Sequence, residues 1–255
     1  MDRRLQLWLD IILVLTQKEI KIRYKNSILG YLWSIAHPLA FAFVFFVAFK
    51  VVMRINIENY TLFLIAGLFP WQWFSNSINN SPLIFLTNSS LIKKLNFPRN
   101  IISFSLVLQD MIHFLLSIPV IIFFLFLYEK HPGWNWLFGI PSLLLVQLAL
   151  TYGISVFIAS VNLFFRDLER LTGIFMTFLF YFTPIIYPEQ MIPENYRNFI
   201  IINPLSPLII SWRNLFLNGN IDNKLILISF IYAIIFLIIG HVVYKKLSWK
   251  FAEVI

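Results

Sequence analysis

Six apolar stretches, at 32–49, 60–86, 101–128, 136–163, 171–187 and 225–244, make up most of this chain. About 20 residues at 1.5 Å each cross the hydrocarbon core of a bilayer, so each stretch is of roughly spanning length. A backbone surrounded by lipid must satisfy its own donors and acceptors, and stretches this long do so as helices. The predicted fold is therefore an all-α integral membrane protein with six transmembrane helices. Composition agrees, since 59% of the 255 residues are apolar and 13% charged, against about 25% charged in soluble domains. No long polar stretch is left for a separate soluble domain, so 1–255 reads as one transmembrane domain.

The segment ahead of the first span has a different pattern. Leu5, Trp8, Ile12, Leu15 and Ile22 recur at helical spacing while Lys18, Lys21 and Lys25 fall on another face. That pattern predicts an amphipathic helix lying in the membrane surface, with a helix packed on the protein's own underside as the alternative. Residues 1–26 are assigned to this helix and 27–255 to the six-span bundle. Asp10 interrupts the first apolar run, and Gln17, Lys18 and Glu19 follow it in place of small residues, so no cleavable signal peptide is expected. From 23 to 38 the chain passes from basic to apolar without a break. Ser27 and Gly30 sit where it must turn, and glycine accepts backbone conformations closed to other residues.

Fourteen Lys and Arg fall on the side of the two termini and six on the opposite side, which predicts that both termini are cytoplasmic. The net charge of +8 is spread over short clusters between apolar stretches, the pattern of topology signals rather than of nucleic-acid binding. Two connections stand out. Residues 91–100 are short and basic, with Leu91, Ile92, Leu95 and Phe97 among the charges, and suit docking onto a soluble partner. Residues 184–217 hold five of the 12 prolines, so they read as short helices that dip into the outer interface or line a cavity.

Chemistry-bearing groups are few. His37, Asp110 and His113 are the titratable candidates within the spans, and Asp110 and His113 share a helix face. They fit a structural role, a gating role or, least well, catalysis, because no second carboxylate accompanies them. Asn76, Asn79 and Asn80 give span two an amide face that suits either hydroxyl-rich cargo or glue between helices. Phe, Tyr and Trp make up 18% of the chain. Most suit core and lipid-facing roles, but an aromatic-lined path would let the apolar faces of sugar rings slide along it. The chain has no cysteine, no metal-ligand cluster and no G-x-x-x-x-G-K-[ST] loop, so no cofactor is expected in it, and any ATP-driven motor is another polypeptide.

The run Arg23-Tyr24-Lys25-x-Ser27-x-Leu29-Gly30-x-Leu32-Trp33, with Pro38 after it, resembles the permease subunits of ABC exporters for surface polysaccharides. The likeness is nearest to the Wzm O-antigen type, with KpsM and TagG as relatives. It extends to 91–99, to Phe165-Arg166-Asp167-Leu168, and to Thr183-Pro184-Ile185-Ile186-Tyr187 with Asn203-Pro204 and Pro207. The resemblance implies a homodimer in the bacterial inner membrane, bound by two ATPase subunits that hold ATP and Mg and exporting an undecaprenyl-linked polysaccharide. It implies an interface helix and hinge including Lys18, Lys21, Arg23, Tyr24, Lys25, Ser27, Gly30 and Trp33. ATPase coupling would fall to Lys93, Lys94, Leu95, Phe97, Pro98, Arg99, Arg166 and Asp167. Phe41, Phe45, Phe46, Phe49, Asn76, Asn80, Phe178, Tyr181 and Phe182 would line the translocation path. Tyr187, Tyr196, Phe199 and Trp212 would form a periplasmic gate of re-entrant helices within 184–217. Teichoic acid, capsule, a drug or another lipid stay open as cargo, as does a membrane-embedded glycolipid transferase using Asp110 and His113.

Overall fold

A computed structural model describes residues 3–24, 27, 30–54, 57–95 and 97–254. Lys25, Asn26, Ile28, Leu29 and Asn96 of the sequence motifs lie outside the described residues. Every regular element among those described is helical. Helix α1 (Arg3–Tyr24) is followed by a 3-10 turn (Gly30–Leu32) and by α2 (Trp33–Phe45), which runs on as a π-helical stretch (Phe46–Val52). Then come α3 (Tyr60–Asn80), α4 (Ile84–Thr87), α5 (Ser89–Lys94), α6 (Asn100–Leu127), α7 (Trp136–Asn162) and α8 (Leu168–Phe182). Short 3-10 turns flank α9 (Glu194–Arg197), after which α10 (Ser206–Asn218), α11 (Asn223–Leu247) and α12 (Phe251–Val254) complete the chain.

Among the described residues, four helices are long and apolar enough to cross a membrane: Ile35–Val52, Asn100–Leu127, Trp136–Asn162 and Asn223–Lys250. The pair Glu194–Ile202 and Ser206–Asn218, bent by 101°, makes a fifth if counted as one span. The fifth and second predicted spans differ from expectation for separate reasons. Helix α8 has 15 residues, about 22 Å at 1.5 Å each, which is short of the hydrocarbon thickness. It stops at Thr183, whose extended backbone (φ −94°, ψ 134°) is what a following proline imposes. Helix α3 has the length, with 21 residues, but contains Pro70 and ends in polar residues. It is the central helix of the protein, contacting α2, α6, α7, α8 and α10, with fifteen of its residues buried. Enclosed by protein, it tolerates polar groups that a lipid-facing helix would not.

A cluster of large rings holds α3, α6, α7 and α10 together. Trp73 stacks on Phe114 at 5.6 Å, Phe114 meets Trp212 edge-on at 4.9 Å, and Phe216 packs on both Trp212 and Trp136. Each of these indoles has an acceptor, as buried N–H groups require. Trp73 donates to the Val107 carbonyl, Trp136 to the Leu215 carbonyl and Trp212 to Gln147 Oε1 at 2.6 Å. Helix α10 ends at Gly219 in the left-handed region (φ 63°), and the Asp222 side chain caps α11 by accepting from the Lys224 and Leu225 amides.

Helices α7 and α11 meet backbone to backbone. A Cβ on Gly240 would lie 2.2 Å from the Gly153 carbonyl oxygen, and one on Gly153 would lie 2.6 Å from the Leu237 nitrogen. Small residues permit this approach, and close packing is a main source of helix association in lipid. Gly240→Ala is therefore expected to force the pair apart and lower the unfolding temperature of the detergent-solubilised chain by about 5 °C or more. Gly173→Ala, where a Cβ meets nothing, is expected to leave it unchanged.

Candidate functional site

At one end of the bundle a second apolar core joins segments that are distant in sequence. Leu15 of α1, Ile84 and Phe85 of α4, Ile92 of α5, Ile101, Ile102 and Leu106 of α6, Leu163 and Phe251 pack together. Phe251 is fully buried, with its ring 5.0 Å from Phe85, 5.9 Å from Tyr244 and 6.4 Å from Phe164. Polar bonds surround it. Lys18 Nζ donates to Asn88 Oδ1 at 2.6 Å, and Arg99 Nη1 donates to the Ser248 carbonyl. Asn100 donates through its side chain to Tyr152 Oη and through its backbone to Tyr244 Oη. The basic segments around 18, 93–99, 166 and 245–250 are thus gathered at this one end, as the charge count predicts.

Residues 88–95 and 97–100 form a strap across that end. Ile92 is buried, Phe97, Pro98 and Arg99 are half-buried, and Lys93, Lys94 and Leu95 are exposed. Arg166 and Asp167 are exposed in the turn between α7 and α8. The strap thus presents two cations and an apolar side chain to its surroundings.

Helix α1 differs from its expected single apolar face. Leu15 is buried and Ile11 and Ile12 are partly buried against the second core, whereas Leu7, Trp8, Leu13, Val14 and Ile22 are exposed. Lys18 is held by Asn88 and by Glu19 at 3.1 Å, while Lys21 and Trp33 are exposed. Arg23 and Tyr24 belong to the last turn of α1. Ser27 is half-buried, and Gly30 has φ +48°, a conformation that side chains with a Cβ rarely adopt.

Aromatic rings run along α2 at a spacing of four. His37 and Phe41 lie 5.0 Å apart, Phe41 and Phe45 6.4 Å, Phe45 and Phe49 6.2 Å, and Phe49 and Tyr60 6.5 Å. Phe45 also stacks on Phe180 of α8 at 5.6 Å, which brings the two helices side by side. Phe46 is half-buried. On α8 only Thr172 and Met176 are buried, and Phe178, Tyr181 and Phe182 are all more than half exposed. Phe180, the ring that bridges the two helices, carries no separate signal in the sequence. Asn80 is exposed and its Nδ2 donates to the Asn76 backbone carbonyl at 2.8 Å within the same helix, while Asn76 is half-buried.

At the opposite end, residues 183–187 turn out of α8 and are pinned from several directions. Tyr60 Oη donates to the Ile186 carbonyl at 2.8 Å and Arg213 Nη2 to the Ile185 carbonyl at 2.9 Å. Asn203 Nδ2 donates to Thr183 Oγ1, and Tyr187 Oη donates to the Tyr181 carbonyl. Tyr196 and Phe199 are exposed, 6.4 Å apart. Trp212 lies fully buried in the main ring cluster, away from any surface. Asn203 and Thr183 both belong to the family motif, whereas Tyr60 and Arg213 carry no role in the sequence reading. The available signal was a cation within an apolar run, which at membrane depth marks a site.

Asp110 and His113 are both buried between helices, at 1% and 7% exposure, and Asp110 accepts from Ser77 Oγ at 2.9 Å. Among the described residues no three of His, Asp and Glu converge as a metal-holding group.

Residues 11–217 match the ABC-2 type transporter family. Over 246 residues, covering 96% of this chain and 95% of the relative, the sequence is 49% identical to the O-antigen export system permease protein RfbA of Klebsiella pneumoniae. The protein of the same name from Myxococcus xanthus is 32% identical over 84% of this chain and 83% of its own length. The polysialic acid transport protein KpsM of Escherichia coli is 25% identical over 89% and 90%.

The strap's attachment can be tested without knowing its partner. Phe251→Ala empties the centre of the second core, a change that costs about 3–5 kcal/mol in well-packed sites. Trypsin is expected to cut after Lys93, Lys94 and Arg99 about tenfold faster in that variant. Phe251→Leu is expected to keep most of the protection.

Proposed function

The chain belongs to the ABC-2 type transporter family, and on that premise we propose that it is the transmembrane subunit of an ABC exporter moving lipid-linked polysaccharide of the O-antigen type. The observation that carries this reading is 49% identity to an O-antigen export permease along nearly the whole length of both chains. The more distant likeness to a polysialic acid transport protein keeps capsule as the alternative cargo of the same machine. A glycolipid transferase is disfavoured, since Asp110 and His113 are enclosed by helices rather than open to an acceptor.

The finer assignments of this reading are as follows. Six spans are reached by counting α3, which protein surrounds, and α8, which is short, beside the four apolar helices. The end carrying the strap faces the cytoplasm of a bacterial cell, and both termini with it, by the excess of Lys and Arg there. Helix α1 lies in the inner leaflet, with Ile12 and Leu15 against the protein and Trp8, Leu13 and Ile22 toward lipid. Two copies assemble so that the exposed aromatic faces of α2 and α8 line a shared path, where sugar rings slide over Phe178, Tyr181 and Phe182. Two ATPase subunits, which hold ATP and Mg, dock on Lys93, Lys94, Leu95 and the Arg166–Asp167 turn. The bent helices around Tyr196 and Phe199 close the outer mouth. Undecaprenyl carries the glycan to the path from the cytoplasmic side.

Two outcomes test these assignments. Lys93→Glu combined with Lys94→Glu is expected to reduce ATPase subunit recovered with the permease by about tenfold, while the amount of permease in the membrane stays constant. Export at the normal rate in that variant contradicts the docking surface. Gly30→Val, which places a β-branched residue at φ +48°, is expected to slow export more than it reduces assembly with the ATPase, since positive φ costs such a residue about 1–3 kcal/mol. Radiolabelled glycan in the outer compartment of vesicles reads both.

A further inference from the structure

Arg213 is 6% exposed and sits among apolar helices, and among the described residues no carboxylate forms an ion pair with it. Glu189 acts on it only at longer range. Removing a cation from water costs several kcal/mol that one hydrogen bond does not offset, and such groups are often replaceable by apolar residues without loss of stability. Fold stability therefore does not account for an arginine here.

The contacts of Arg213 show what it controls. Its guanidinium lies 3.8 Å above the Phe63 ring and donates to the Ile185 carbonyl. Space for it is provided by Gly67, where a Cβ would come within 2.6 Å of Nη2. Tyr60, from the start of the same helix, holds the next carbonyl, that of Ile186. Two successive carbonyls of the turn leaving α8 are thus pinned to α3 and α10. With Pro184 in the turn, few internal backbone bonds are available to set its direction.

We propose that Arg213 is a positioning residue for transport: with Tyr60 it holds the 183–187 turn and, through it, the outer end of α8, so that Tyr181 and Phe182 face the moving glycan. This rests on the assignment of the α8 face as a wall of the path. Arg213 does not touch the cargo and acts through the turn. Gly67 is the third member of the device, because its missing side chain lets the guanidinium lie flat between Phe63 and the turn.

The test uses the full complex with its ATPase in proteoliposomes. Arg213→Met keeps the volume and removes the donor, and Gly67→Ala keeps the arginine but displaces its flexible tip. Both are expected to slow glycan export about tenfold while the unfolding temperature stays within about 2 °C of the parent. Arg213→Lys, which retains a donor, is expected to recover part of the rate. Because the chain has no cysteine, Phe182→Cys can be labelled alone, and its labelling rate is expected to change about threefold in the Arg213→Met background. Export that falls only in proportion to folded permease, with the labelling rate unchanged, overturns the proposal. Phe178→Ala with Phe182→Ala separates the two readings. If that pair slows export and neither Arg213→Met nor Gly67→Ala does, the path assignment stands and the positioning role is refuted. If the pair leaves export untouched, the path assignment fails and takes this proposal with it.

Discussion

The buried amide of Gln147 joins three helices of the main core. Its Nε2 donates to the Pro70 carbonyl of α3 at 2.8 Å, its Oε1 accepts from Trp212 of α10 at 2.6 Å, and its backbone belongs to α7. In a bilayer there is no water to replace either bond, so a polar group at this depth must have partners or forfeit the full desolvation energy. With both bonds made, a helix containing a proline and a helix bent back into the protein are held against a straight span. The ring cluster of Trp73, Phe114, Trp212 and Phe216 fills the space around them. Similar reasoning applies to Ser77 with Asp110 and to Ser81 with Ser155.

Around that fixed centre the two ends are built differently. The basic end is closed by a compact apolar core into which α1, the strap and the last turn of the chain all insert a residue. A push on the strap therefore bears directly on α6 through Asn100 and on α11 through Tyr244 and Ser248. At the opposite end the proline-containing turn combines packing with hydrogen bonding, since Ile185 and Ile186 are buried in the main core while their carbonyls accept from Arg213 and Tyr60. Between the ends, α2 and α8 present aromatic rings outward with little of either helix buried, a surface open to lipid, to a second copy or to cargo.

Much of this was legible from residue order because its causes are local. The apolar runs located all the long helices, although α3 and α8 stop at Asn80 and Phe182, just ahead of Pro82 and Pro184, rather than at the ends of the 60–86 and 171–187 stretches. The positive φ at Gly30 fits the turn expected there. What could not be read depends on neighbours distant in sequence. Hydropathy treats every span as lipid-facing, so it could not anticipate that the apolar part of α3, from Tyr60 to Phe74, is buried almost throughout. The apolar face of α1 divides between core and surface because Ile12 and Leu15 meet a pocket formed by α4–α6. The family resemblance implies a gate role for Trp212, whereas its burial and the bond from its N–H to Gln147 of α7 depend on a partner distant in sequence. Arg213 entered only as one positive charge in a tally, since its significance lies in where Phe63, Gly67 and Ile185 converge.

The central claim is that this chain forms the path through which an ATPase drives a lipid-linked glycan across the membrane. The direct measurement reconstitutes the purified chain with its ATPase subunit in liposomes and follows ATP-dependent appearance of undecaprenyl-linked O-antigen on the far side. The account predicts transport that requires both subunits and hydrolysable ATP, with turnover of ATP rising when the glycan is present. Transport by the chain alone, or ATP hydrolysis by the complex with no glycan movement under any lipid-linked polysaccharide, would contradict it.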